Sequence, residues 1–203
     1  MTYLLIPIAY LIGAIPVGVL VGKAGGFDPR VVGSGNVGMT NVARAGGGSA
    51  AAITLIGDLL KGLVPVLLAR IFEPTSAGLA LVGLAAFVGS LYSIFLGFQG
   101  GKGVSTTVGV WLGLAPAVIG AAFIVFLIAF LIRRIVSLAS ISGALALPLV
   151  AILLGQPAAF VVAALIMAAL VIYRHRGNIW RLMRGEEESL SLSHRKTNPA
   201  RAQ

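Results

Sequence analysis

Three short segments of this chain combine glycine, small polar donors and a cation in patterns suited to binding anions. The first is Gly33-Ser34-Gly35-Asn36-Val37-Gly38-Met39-Thr40-Asn41, followed by Arg44. The second is Phe98-Gln99-Gly100-Gly101-Lys102-Gly103, and the third is His175-Arg176-Gly177-Asn178-Ile179-Trp180-Arg181. Glycine admits positive φ and close approach, so successive backbone N–H groups can form an anion-binding nest. Lysine adds a point charge and arginine a bidentate fork for phosphate. If they converge at one membrane surface, these segments would make a site for a phosphorylated substrate with an apolar tail. Taken singly, each has a plainer reading. Gly-Gly-Lys-Gly is also a tight turn, and Ser34 to Asn41 also suits a helix cap. A lone His175 beside arginines is more often a surface residue, and Arg174, Arg176, Arg181 and Arg184 also suit an anchor to anionic lipid. The second segment is not a P-loop: the G-x-x-x-x-G-K-S/T spacing is missing, and Gly103 follows Lys102.

The elements that position these segments follow from composition. Of 203 residues, 58% are hydrophobic and 10% charged, with mean hydropathy +1.02. Soluble domains average about 25% charged residues, so too few are present here to clothe a water-facing surface. The chain reads as an integral membrane protein. A nucleic-acid binder is disfavoured despite the net charge of +9, because the basic residues sit singly or in pairs between long apolar runs. The absence of Cys excludes a disulfide framework, a thiol nucleophile and thiolate metal sites. Two histidines far apart and few carboxylates argue against a catalytic metal, and no cofactor motif is present.

An uncharged run of about 20 residues can cross a bilayer as a helix. The first such run is 3–22, which lacks a basic n-region and a cleavage site and reads as a retained span. A Gly- and Asn-rich loop over 23–49 precedes a second span at 50–69, which carries Asp58 and Lys61. The i, i+3 spacing of that pair predicts an ion pair on one helix face, with a functional role as the alternative. A polar break at 73–76 leads to a third span ending near Gly97. Two uncharged runs remain, at 104–132 and 135–173, and the second divides at Gly155-Gln156-Pro157. The first is either one tilted span or two short ones turning near Gly113 and Pro116. The hairpin puts 13 of the 15 Lys and Arg on one side, leaving out Arg70 and the intramembrane Lys61. The positive-inside rule therefore selects it.

The expectation is an all-α, polytopic integral membrane protein of about seven transmembrane helices. Its N-terminus lies outside and its C-terminus in the cytoplasm. Residues 1–188 form a single domain, with motif loops 23–49, 98–103 and 174–188 on the cytoplasmic face. Residues 189–203 lack apolar periodicity and read as a disordered tail.

Together the segments resemble the acyl-phosphate:glycerol-3-phosphate acyltransferases of bacterial phospholipid synthesis, the PlsY family. The first family signature appears as Ser34-Gly35-Asn36-Val37-Gly38-Met39-Thr40-Asn41-Val42-Ala43-Arg44. The second appears as Gly89-Ser90-Leu91-Tyr92-Ser93-Ile94-Phe95, running on to Phe98-Gln99-Gly100-Gly101-Lys102-Gly103. The third is His175-Arg176-Gly177-Asn178-Ile179-Trp180-Arg181-Leu182, followed by Gly185 and Glu187. Asp58-Leu59-Leu60-Lys61-Gly62 also looks like the family's second helix, and the resemblance runs from the first helix to Glu187. One departure stands out: Ser90 and Ser93 occupy positions where the family usually has His and Pro.

The resemblance implies transfer of a fatty acyl group from acyl phosphate to the 1-hydroxyl of glycerol 3-phosphate, giving lysophosphatidic acid and inorganic phosphate. It implies catalytic roles for Ser34, Arg44, Lys102, His175 and Asn178. It implies substrate binding by Gly35, Asn36, Gly38, Thr40, Asn41, Gly100, Gly101, Gly103 and Arg181. It further implies a multi-pass protein of the bacterial inner membrane with a cytoplasmic site, whose partners are the two substrates and membrane lipids, without nucleic acid. Oligomeric state is left open, and a monomer is compatible with the sequence. The H-x-x-x-x-D pair of acyl-CoA-dependent acyltransferases is missing at His175 and His194, which favours acyl phosphate over a thioester donor. A small transporter of an organic phosphate is the alternative. It would also use glycine-interrupted helices and buried cations, but it predicts internal repeats and a midplane site.

Overall fold

The computed structural model describes residues 2–72 and 75–189, and every regular element in them is helical. The tail expected to be disordered lies, after Ser189, outside the described residues. Helix α1 (Thr2–Ala14) and α2 (Val17–Ala24) form one apolar segment, broken at Ile15-Pro16. Helices α3 (Met39–Phe72), α4 (Ser76–Leu91), α5 (Val104–Leu114), α6 (Pro116–Arg133), α7 (Val136–Leu153), α8 (Ala158–Arg174) and α9 (Arg176–Arg184) follow. By length and composition, five segments can cross a membrane, or six if α8 and α9 count as one bent passage.

Two of the expected loops are partly helical. The 23–49 connector already turns helical at Met39, and α3 kinks at Gly47, whose φ of 80° and ψ of −173° are not helical. Thus the first signature straddles a loop and the first turns of a helix. Likewise, 176–184 of the third connector is helix α9.

The 104–132 run breaks into two helices at Ala115 (φ −155°, ψ 88°), with Pro116 opening α6. Proline suits the first turn of a helix because its missing N–H has no partner there anyway. At 11 residues, α5 is about 17 Å long, well short of a hydrocarbon core of about 30 Å. A helix that stops early leaves its last carbonyls without partners. Arg70, at the end of α3, supplies them: its Nε donates to Gly113 O at 2.7 Å and its Nη2 to Leu114 O at 2.8 Å. Replacing Arg70 with Leu orphans both carbonyls and is expected to cost about 2 kcal/mol. The expected result is a lowered thermal midpoint in detergent.

The core lies where α1, α3, α4, α5 and α8 meet, around wholly buried Phe87, Leu91, Val110, Trp111 and Met167. Small residues set how closely these helices approach. A Cβ on Gly109 would stand 1.9 Å from Leu59 O, and one on Gly62 would stand 2.3 Å from Thr106 O, so α3 and α5 touch backbone to backbone. Such contact is how membrane helices associate when lipid competes for apolar side chains. It ties the start of α5, and the glycine connector before it, to the Asp58–Lys61 turn of α3. On the outside, Leu131, Ile132 and Leu153 are about 70% exposed, a surface suited to lipid rather than water.

Candidate active site

The first connector is tied by one buried side chain. Asn41 Oδ1 accepts the Ser34 N–H at 3.0 Å, and its Nδ2 donates toward the carbonyls of Pro29 (2.7 Å), Asn36 (2.8 Å) and Val32 (3.0 Å). Asn36 Oδ1 accepts the Gly38 N–H at 2.9 Å, the local turn that asparagine favours. Gly33 and Gly35 have φ of 55° and 68°, a region costly for side-chain-bearing residues. The loop therefore has one shape, and it delivers Ser34 and the first turns of α3, with Thr40 and Arg44, to the same place.

The second connector doubles back on the end of α4. Gly100 N–H donates to Leu91 O and Gly101 N–H to Ser90 O, both at 3.0 Å. From the end of α8, Arg174 Nη2 donates to Gly100 O at 2.6 Å and Nε to Gly101 O at 3.1 Å, with its guanidinium 5.7 Å from the Tyr92 ring centroid. Arg174 is thus a brace for the glycine connector rather than a lipid anchor. Lys102 stands between this brace and the left-handed Gly103 (φ 76°).

The third segment closes the site. Lys102 Nζ donates to Asn178 Oδ1 at 2.5 Å, and Asn178 Nδ2 donates to Glu187 Oε1 at 2.5 Å. Glu187 also accepts from Ser137 Oγ at 2.7 Å and from Arg181 Nε at 2.6 Å. Arg44 Nη2 lies 2.9 Å from Glu188 Oε2. Burial works to raise the Glu187 carboxyl, but hydrogen bonds from Ser137, Asn178 and Arg181 outweigh it and hold the pKa below its usual value. Burial pulls the Lys102 ammonium down to about 8; nearby Glu187 opposes this, while the charges of Arg181, Arg44 and Arg174 add to it. His175 is buried, and its Nδ1 lies 2.8 Å from Val171 O. A carbonyl only accepts, so Nδ1 carries the proton and Nε2 keeps its lone pair. Burial and then the Lys102 charge lower His175 to about 4, so it is neutral at pH 7.

These groups line one cavity of about 430 Å³. Ser34, Arg44, Lys102, His175 and Asn178 all face it, as do Asn36, Gly38, Thr40, Asn41, Gly101, Gly103 and Arg181. Gly35 and Gly100 do not: they shape the turns behind the wall. The residues missed from the sequence are Ser105, Thr106, Ser137 and Ser140, which also line it. Ser137 and Ser140 stand three apart, on one helix face, in an uncharged run that also holds Ser142, and that spacing was the available signal. Asp58 and Lys61 form the expected ion pair at 2.8 Å, and both reach the cavity. Lys61 Nζ also donates to Ile15 O at the break between α1 and α2 (3.3 Å). Glu187 belonged to the third signature without an assigned role; it is the acceptor that orients Asn178.

Ser90 also borders the cavity, but its hydroxyl donates to Phe87 O at 2.7 Å, within its own helix. Ser93 Oγ donates to Ala14 O at 2.5 Å. With its proton committed to a helix carbonyl, neither hydroxyl donates into the cavity. Ser90→Ala is therefore expected to keep kcat/KM within about tenfold of the parent, as a steady-state assay would show.

The family model for glycerol-3-phosphate acyltransferase matches residues 3–185. A glycerol-3-phosphate acyltransferase of Geobacter metallireducens is 50% identical over 185 residues, covering 91% of this chain and 95% of that protein. The Geotalea daltonii enzyme of the same name is 48% identical over 179 residues, covering 88% and 92%. Among solved structures, the glycerol 3-phosphate form of PlsY, an integral membrane glycerol 3-phosphate acyltransferase, superposes with TM-score 0.90 at 42% identity. That match covers 94% of this chain and 96% of the other. The lysophosphatidic acid form gives 0.88 at 41%, covering 94% and 95%. With a family model matched over residues 3–185, relatives 48–50% identical over most of both chains and a solved structure superposing at TM-score 0.90, the chain belongs to the glycerol-3-phosphate acyltransferase family.

Proposed function

We propose that this protein transfers a fatty acyl group from acyl phosphate to the 1-hydroxyl of glycerol 3-phosphate, in the bacterial inner membrane with its site facing the cytoplasm. The observation that carries the reading is the meeting of Lys102, Arg44, neutral His175 and the Gly33–Asn41 turn around one cavity, in a chain 42% identical to the glycerol 3-phosphate form of PlsY. Acyl phosphate is a mixed anhydride, so its leaving group needs no covalent enzyme intermediate. The 1-hydroxyl oxygen attacks the acyl carbon, the carbonyl–phosphate bond breaks, and inorganic phosphate leaves. The protein's part is to hold two anions together and to balance charge as it develops. Lys102 and Arg44 supply positive charge, and Ser34, Thr40 and backbone N–H groups supply donors.

The hydroxyl proton still needs an acceptor. Held near 4, His175 is a weak base at pH 7. A substrate phosphate, with a second pKa near 6, is the better acceptor, and His175 Nε2 then orients the hydroxyl as a hydrogen-bond acceptor. The charge distribution favours seven passages with the N-terminus outside, counting short α5 as one. An organic-phosphate transporter is not favoured, since the polar groups gather at one end of the helices and no repeat is evident.

The test is phosphate release from purified protein given palmitoyl phosphate and glycerol 3-phosphate, with each omitted in turn and with acyl-CoA as an alternative donor. Release that requires both, matched by lysophosphatidic acid, is the expected result. Activity with acyl-CoA alone would overturn the donor, and no acyl transfer by folded protein would overturn the reading.

A further inference from the structure

Helix α9 presents its two faces to different surroundings. On one side, buried Asn178 reaches Lys102 and Glu187. On the other, Arg176, Trp180, Met183 and Arg184 follow at i, i+4, i+7 and i+8, a single helical stripe. Trp180 is 60% and Met183 78% exposed. The Arg184 guanidinium lies 4.8 Å from the Trp180 ring centroid, and that of Arg176 lies 4.8 Å from that of Tyr173. The helix bends 58° from α8, turning away from the direction of the last apolar span. Two neighbouring cations have carboxylate partners, Arg181 with Glu187 and Arg44 with Glu188. Among the described residues, no ion pair engages Arg176 or Arg184. The sequence after Glu188 contains no Asp or Glu, only further basic residues at Arg195, Lys196 and Arg201.

An exposed indole and thioether flanked by uncompensated guanidiniums match the boundary between acyl chains and phosphate headgroups. We propose that the outer stripe of α9 is an interfacial site for anionic phospholipid, with Arg176 and Arg184 on the headgroup phosphates and Trp180 and Met183 at the acyl boundary. An acidic protein would answer the charge alone. The exposed indole of Trp180 and thioether of Met183 beside those arginines select lipid. Because Asn178 on the inner face holds Lys102, lipid on the outer face steadies α9 against the cavity, and acyl transfer rises with the anionic fraction of the bilayer.

Trp180 reports on this directly, because the other tryptophan, Trp111, is wholly buried in the core. Trp111→Phe protein is placed in phosphatidylcholine nanodiscs carrying equal fractions of brominated phosphatidylglycerol or brominated phosphatidylcholine. Should that variant not fold, the parent chain serves, with Trp111 as a constant background. Brominated phosphatidylglycerol is expected to quench Trp180 more strongly, because each arginine enriches anionic lipid about fivefold. In Arg176→Gln/Arg184→Gln protein the two lipids should quench equally. Equal quenching in the parent, the result expected for an acidic protein partner, would overturn the site. A preference that survives the double substitution would overturn the arginines. This readout does not depend on catalysis. Coupling is read separately: a rate that rises with phosphatidylglycerol in the parent but not in the double variant supports it, and a flat rate in both overturns it.

Discussion

Lys102→Ala is expected to lower kcat/KM for acyl transfer by about 10²–10³-fold, the effect of deleting one preorganised charge-stabilising donor. Nothing else in the second connector carries charge, and the amine is held in place by Asn178. The fold should survive, because the connector is fixed by Gly100 and Gly101 through α4 and Arg174, not by the ammonium. A circular dichroism melt beside the assay separates the two effects, and near-parental activity in folded variant would remove Lys102 from the chemistry.

The pH profile gives the same claim a sign. With its pKa drawn down to about 8, Lys102 is an ammonium below that pH and a neutral amine above it. The free-enzyme profile, kcat/KM, should therefore fall above pH 8, approaching about tenfold per unit. On the acid side, His175 at about 4 is already neutral at pH 5. A limb near pH 6 then belongs to substrate phosphate and should keep its position in His175→Gln, even where the rate is lower. A limb that moves with His175 would instead make the histidine the proton acceptor.

Gly100→Ala is expected to disable the site from outside it. The added methyl would stand 2.3 Å from Ser90 O and 2.8 Å from both Leu91 C and Leu91 O, rigid backbone atoms at the end of a buried helix. The connector must shift, breaking its pairing with α4 and carrying Lys102 off Asn178. Displacements of about 1 Å at such a distance cost on the order of 10²-fold in rate. Gly120→Ala is the control, because a Cβ there meets nothing within 4 Å. Equal activity of the two variants would show that the connector adapts.

Much of this site was legible in the chain itself. Uncharged runs of about 20 residues suit helices in lipid, because a helix pairs each backbone group within its own segment. The glycine-cation segments stood out because intervals without hydrophobic periodicity are few in so apolar a sequence. The Asp58–Lys61 pair followed from helical spacing alone, while Ser34, Arg44, Lys102, His175 and Asn178 were singled out by the family resemblance of the segments that carry them. What spacing does not encode is distance across the bundle. Ser137 meets Glu187, 50 positions away, and Lys102 meets Asn178, 76 positions away, only after the helices pack. Arg70 looked like a stray charge until the end of α5 was placed beside it. Arg174 read as a lipid anchor and Gly100, by resemblance, as a substrate-binding residue, and only packing assigned both to the scaffold behind the cavity. Local sequence thus determined which groups are present and on which segments. The tertiary structure decided which of them face the cavity and which hold others in place, because burial and partner choice are set by contacts between segments far apart in the chain.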